Sequence, residues 1–172
     1  EEADLLELLK ASRVNTVRLR LWVNPATEHS GYTEVHRFVR RLREVGFRIW
    51  IALHYSDTWA DPGQQRIPQA WQNLSYAALR EELSRYTQQV AEELSPDYLQ
   101  IGNEINSGFL HPYGHLSSNP AQFGDLLQVA VQAARQGAPE VKIIMHYAGT
   151  AGADWFFEQL SEIDYDIIGL SY

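Results

Sequence analysis

Five short apolar runs alternate with five amphipathic stretches, and no two of the runs are joined by a hairpin turn. Runs connected only through helices pair as parallel strands with right-handed crossovers, because tight turns serve antiparallel pairs. The runs are residues 17–23, 48–54, 98–103, 141–146 and 166–172. The helical stretches are residues 1–12, 33–45, 75–94, 120–137 and 155–163. Thr33 is expected to cap the second, whose apolar stripe is Val35, Phe38, Val39, Leu42 and Val45, with Gly46 as its stop. Ser75 opens the third, and Asn119-Pro120-Ala121-Gln122 combines a cap, a first-turn proline and a capping-box glutamine for the fourth.

A doubly wound sheet and a barrel both satisfy this alternation, so the residues at the strand ends decide. His54, Asn103, Glu104, His146 and Tyr172 all stand at carboxyl ends of the runs. A barrel gathers all such ends onto one face. The expected class is α/β, a TIM (β/α)8 barrel of which this chain carries part, with residues 1–172 as one domain. At 172 residues and 45% hydrophobic, the chain is long enough for one core. No apolar run approaches the roughly 18 residues of a membrane span. The opening Glu1-Glu2-Ala3-Asp4-Leu5-Leu6 reads as the middle of a helix, and no leader is visible.

Charge and cysteine usage narrow the chemistry. A net charge of -8 disfavours nucleic acid and anionic membranes and suits a neutral substrate. The absence of cysteine removes disulfides, thiolate metal sites and cysteine nucleophiles together. His54 and His146 lack close ligand spacing, so hydrogen bonding is expected of them rather than a metal. There is no P-loop, and Gly149-Thr150-Ala151-Gly152 is no dinucleotide fingerprint, so no cofactor is expected.

Glu104 is the residue that most needs a chemical reason, since an apolar strand normally ends without a buried carboxylate. It reads either as a salt-bridged rim residue or as a general acid held by its neighbours. A glycosidic bond needs a second carboxylate, about 5 to 5.5 Å away for retention and about 6.5 to 9.5 Å for inversion. No second Glu stands at a strand end here, and Asp57 and Asp61 on the long 55–74 loop read as sugar ligands or loop caps. Asn103 reads as a donor to a sugar 2-hydroxyl or as a turn former. Trp59 and Trp71 on that loop are candidate platforms for a sugar ring, whereas Trp50 and Trp155 are expected in the core. In residues 17–23, Arg18, Arg20 and Trp22 share one parity. They face water on an edge strand, or point into a barrel where carboxylates await them.

The segments Val17-Arg18-Leu19-Arg20-Leu21-Trp22-Val23-Asn24-Pro25, His54-Tyr55-Ser56-Asp57-Thr58-Trp59-Ala60-Asp61-Pro62-Gly63, Pro68-Gln69-Ala70-Trp71, Gly102-Asn103-Glu104-Ile105 and Ile168-Gly169-Leu170-Ser171-Tyr172 closely resemble glycoside hydrolase family 53. That family comprises arabinogalactan endo-β-1,4-galactanases of the large clan of retaining (β/α)8-barrel hydrolases. The resemblance implies Glu104 as acid/base, Asn103 on the sugar 2-hydroxyl, and Arg18 as the clan arginine that supports the nucleophile. It places His54, Asp57, Trp59, Trp71 and His146 along the cleft, and Tyr172 in the strand-six segment. Asp61 and Arg20 fall within the matching segments and are expected to contact substrate.

Two positions depart from the family pattern: Ala52, where an acidic residue is usual, and His111, where tryptophan is frequent. Counted against the family, the chain holds strands two to six and lacks strand one, strand seven with its nucleophilic Glu, and strand eight. The implied activity is endo-acting, retaining cleavage of β-1,4-galactan in pectin side chains, outside the cell or in the periplasm, by a monomer. A barrel that binds carbohydrate without cleaving it, and a clan relative acting on another β-linked polysaccharide, are the alternatives.

Overall fold

The structure, a computed structural model, describes residues 5–172. Residues 1–4, which the expected first helix also takes in, lie outside the described residues. The elements run α1 (Leu5–Ala11), β1 (Thr16–Leu21), α2 (Tyr32–Val45), β2 (Arg48–Leu53), a 3-10 turn (Gln69–Trp71), α3 (Tyr76–Leu94), β3 (Tyr98–Ile101), α4 (Pro120–Gly137), β4 (Lys142–Ala148), α5 (Ala153–Glu158) and β5 (Ile167–Ser171). All five strands are parallel and lie in sequence order, β1-β2-β3-β4-β5.

Register divides the sheet into two chemically different faces. Leu19, Ile51, Leu99 and Ile143 pair across the sheet, as do Leu21, Leu53, Ile101, Met145 and Ile168. Apart from Ile168, these residues meet Val35, Val39 and Leu42 of α2, Leu79, Leu83 and Val90 of α3, and Phe123, Leu126 and Leu127 of α4 in one core. Fully burying each such side chain contributes about 1.5–3 kcal/mol, so this face holds the sheet together. The opposite face carries Arg18 and Arg20, Trp50, Ala52 and His54, Gln100, His146, Gly169 and Ser171. The strand-borne candidates Arg18, Arg20, His54 and His146 all stand on this polar side.

Several local features differ from the sequence expectation. The α2 helix starts at Tyr32 with Gly31 as its cap, because the Glu34 carboxylate reaches back to accept from the Ser30 N–H at 2.6 Å. Thr33 therefore sits inside the helix. Asn119 occupies the cap position of α4, but its side chain donates to Pro112 O at 2.8 Å instead of capping. Ser75 does cap α3, accepting from Ala78 N at 3.3 Å. Trp155 is 56% exposed, because the short α5 buries only Ala153 and Phe156. On β5, Ile168 is 49% exposed although its parity is that of the core.

Candidate active site

The chain turns sharply at the end of β3. Gly102 has φ 75°, and a Cβ there would lie 2.4 Å from Ile105 Cγ2, so both conformation and space require glycine. Two residues later Glu104 itself has φ 51°. A non-glycine residue in the left-handed region costs on the order of 1–3 kcal/mol and persists only where neighbours over-determine it. They do so here. Glu104 N donates to His146 Nδ1 at 3.1 Å and Ile105 N to His146 O at 3.0 Å. The Asn106 side chain donates to Ala148 O and accepts from Ala148 N, each at 2.8 Å, extending the β3–β4 pairing past the end of β3. From the long loop, Gln65 Nε2 donates to Asn103 O at 2.9 Å and to Glu104 O at 3.2 Å. The carboxylate accepts from Ser171 Oγ at 2.7 Å through Oε1.

Beside Glu104 lies an amide–guanidinium network. Arg18 donates to Gln100 Oε1 through Nε (3.1 Å) and Nη2 (3.0 Å), and Nη2 also donates to Asn103 Oδ1 at 2.8 Å. Gln100 Nε2 donates to Gly102 O and Asn103 Nδ2 to Ala60 O, fixing both amide orientations. The Arg18 guanidinium lies 5.4 Å from the Trp50 ring centre. Arg18 thus points inward, and its hydrogen-bond partners among the described residues are two amides, with an indole against its guanidinium. Partial burial lowers its pKa, and the charge of Glu104 offsets part of that.

Both histidines are held neutral. His54 Nδ1 accepts from Ala60 N at 3.1 Å, so the ring proton sits on Nε2, which is buried and unpartnered. Burial, then the cations Arg18 and Arg20, push the His54 pKa down to about 3. His146 accepts through Nδ1 from Glu104 and is pushed down to about 4, mainly by burial. In the unfolded chain a histidine titrates near 6.5. Below that pH the unfolded state binds protons that the folded state refuses, so stability falls as pH drops from about 6.5 toward the folded values. At pH 5 each buried histidine is expected to cost about 2 kcal/mol. Urea midpoints of the full-length protein at pH 7.5 and 5 check this. His54→Gln should flatten the slope, and an unchanged slope refutes the assignment.

The profile of glycosyl hydrolase family 53 matches residues 1–172. The chain belongs to glycosyl hydrolase family 53. Among family 53 relatives, the arabinogalactan endo-β-1,4-galactanase of Cellvibrio japonicus is 33% identical over 190 residues, covering 100% of this chain and 50% of its own length. The family 53 catalytic domain of Ignisphaera aggregans superposes with a TM-score of 0.92 at 37% identity, over 100% of this chain and 52% of that one. A fungal β-1,4-galactanase superposes with a TM-score of 0.91 at 32% identity, over 99% and 55%. The chain spans about half the length of the curated relatives it matches. Its parallel sheet is that of the family 53 TIM barrel.

Within the family 53 framework the remaining candidates separate by environment. Trp59 is 51% exposed and forms an aromatic wall with His54 (5.5 Å between ring centres) and Trp22 (6.0 Å). The Arg20 guanidinium lies 4.6 Å from the Trp59 ring centre, and its Nε donates to Ser30 Oγ rather than to a carboxylate. Asp57 accepts from the backbone of Asn24 (2.9 Å) and Gln69 (2.8 Å), clasping two loops together. Asp61 accepts from Gly63 N at 2.8 Å and closes its own turn. Both aspartates act here as loop caps, one of their two expected roles. Trp71 is only 4% exposed, with its ring 5.6 Å from that of Tyr86, so it supports the loop from within rather than offering a platform. Tyr172 is exposed and directly follows Ser171, whose hydroxyl reaches Glu104. Trp50 lies on the polar face, against Arg18 and Tyr98, rather than in the core. Among the described residues no group of three or more His, Asp or Glu is placed to hold a metal, and no helix is long and apolar enough to cross a membrane.

Four participants escaped the sequence reading: Gln65, Gln100, Asn106 and Ser171. Gln100 left a signal, because an amide inside the run Tyr98-Leu99-Gln100-Ile101 requires buried partners. Asn106 bonds backbone 42 residues away, which no local pattern reveals. Gly169 is legible only in three dimensions as well. A Cβ there would stand 3.0 Å from His146 Cδ2 and 3.1 Å from Ile144 Cγ2. Gly169→Ala is therefore expected to push the His146 ring off the Glu104 N–H and to lower the stability of the full-length protein by about 1 kcal/mol, read from the urea midpoint. A wild-type midpoint in this variant would show that the ring has slack.

Proposed function

We propose that the protein carrying this chain is an endo-acting, retaining β-1,4-galactanase acting on galactan and arabinogalactan side chains of pectin. The observation that supports it most strongly is Glu104, held in a strained backbone on the polar face, beside a fixed Arg18–Asn103 pair, in a member of family 53. In this reading the described strands are strands two to six of the barrel. The ends of β1, β2, β4 and β5 carry no glutamate, so the nucleophile is assigned to the part of the barrel outside residues 1–172.

Glu104 protonates the glycosidic oxygen as the nucleophilic carboxylate bonds to the anomeric carbon, and the cleaved chain departs with the bonding electrons. Ionised Glu104 then takes a proton from water, whose oxygen displaces the carboxylate from the anomeric carbon. Asn103, its acceptor oxygen occupied by Arg18, faces the sugar 2-hydroxyl. Trp59 offers its exposed ring to the apolar face of a sugar, with the buried His54 ring packed edge-on behind it. His146 lines the same cleft. The polymer substrate places the enzyme outside the cell or in the periplasm, and a monomer suffices for this chemistry.

Ala52 sits on the polar face between Arg20 and Gln100, and His111 lies 4.6 Å from His115, ring centre to ring centre. Both departures touch the cleft, so the test spans substrates. Galactan, arabinogalactan, mannan and xylan are incubated separately with the full-length protein. Oligosaccharides from the first two alone support the proposal. Release from mannan or xylan instead assigns a different β-linked polymer, and binding without release from any of the four assigns a non-catalytic barrel.

A further inference from the structure

We infer that Ser171 is a positioning residue for Glu104, pinning carboxylate oxygen Oε1 so that Oε2 alone exchanges the proton. This rests on the reading of Glu104 as acid/base given above. Ser171 stands on the polar face of β5, in register with Ala148 of β4, and its hydroxyl donates to Glu104 Oε1 at 2.7 Å. Ser171 O accepts from Gly149 N at 2.5 Å, and Ala148 is gripped on both backbone groups by Asn106. A closed circuit results. It leads from Glu104 through Ser171 to residues 148 and 149, then through the Asn106 side chain and along the main chain back to Glu104, whose own N–H is held by His146.

The chemistry suits a group that must work in two protonation states. When Glu104 is ionised, the Ser171 hydroxyl donates a charge-assisted bond to Oε1. When the proton sits on Oε2, Oε1 is a carbonyl oxygen and accepts the same hydroxyl proton. Ser171 need not reorient between the steps. In the first step the Oε2 proton passes to the glycosidic oxygen as its bond to the anomeric carbon breaks. In the second, Oε2 takes a proton from the attacking water, and the nucleophile leaves with its electron pair.

The test uses the full-length enzyme with Ser171→Ala, Ser171→Thr and Glu104→Ala. On galactan, Ser171→Ala should lower kcat about 10- to 100-fold with KM within about threefold. On dinitrophenyl β-galactobioside, whose leaving group needs no proton, kcat/KM should stay within about threefold of wild type. Ser171→Thr, which keeps the hydroxyl, should recover most of the galactan rate. Equal losses on both substrates, shared by the threonine variant, assign Ser171 a purely structural role and overturn the inference. No loss on either substrate overturns it as well.

Glu104→Ala with azide separates the underlying reading. A β-galactobiosyl azide is expected because azide attacks the glycosyl-enzyme without a general base. Its absence removes the acid/base assignment and the Ser171 inference with it. Its formation beside a silent Ser171→Ala removes the inference alone.

Discussion

Glu104→Gln in the full-length enzyme is expected to lower galactan turnover by about 10²- to 10⁴-fold, the range that a positioned proton donor contributes. The substitution keeps the shape and retains an oxygen to accept from Ser171 Oγ, the one hydrogen bond described for the side chain. The backbone stays clamped by His146, Asn106 and Gln65, because those bonds run to main-chain groups or to neighbouring residues. Binding of galacto-oligosaccharides, measured calorimetrically, should therefore stay within about threefold of wild type, since the lost interaction belongs to the transition state. Unchanged turnover would remove Glu104 from the mechanism. A large loss of binding together with turnover would mark it as a substrate ligand instead.

Arg18→Lys should produce the second large effect. The guanidinium reaches Gln100 and Asn103 together through a planar fork while stacking on Trp50. An ammonium on a flexible stem cannot reproduce that fork. A hydrogen bond to a charged group contributes about 1.5–3 kcal/mol, so kcat/KM should fall roughly 10- to 100-fold as Asn103 loses its orientation. Stability should fall too, by about 1–3 kcal/mol, because Gln100 is fully buried and its Oε1 loses both Arg18 donors. The urea midpoint and the kinetics on galactan measure the two effects separately. Wild-type kcat/KM with a lowered midpoint would make the network structural only.

Much of this was legible in the residues. The strand–helix alternation specified parallel pairing, since nothing between the runs could close a hairpin, and the five observed strands pair in that order. Gly102-Asn103-Glu104 stood out because an apolar strand ended on a carboxylate, and the resemblance to family 53 spans the whole chain. Helix starts were less legible. Ser75 caps as expected, but Glu34 moved the start of α2 and Pro112 took the Asn119 side chain. A cap competes with every other partner within reach, and reach is a three-dimensional property.

Periodicity and chemical identity can be read along the chain: which residues alternate in a strand, which stripe a helix buries, and which group is a carboxylate, an amide or a cation. What those groups face is set only in three dimensions. Arg18 met Gln100 and Asn103, 82 and 85 residues away. Trp71 turned into the core while Trp59 stayed at the surface, although both lie on one polar loop. Ser171, silent in the sequence, came to hold Glu104 across 67 residues. The physical reason is that hydrogen bonds and burial act over a few ångströms of space without regard to separation along the chain, whereas sequence patterns report only on neighbours a turn or a pleat away.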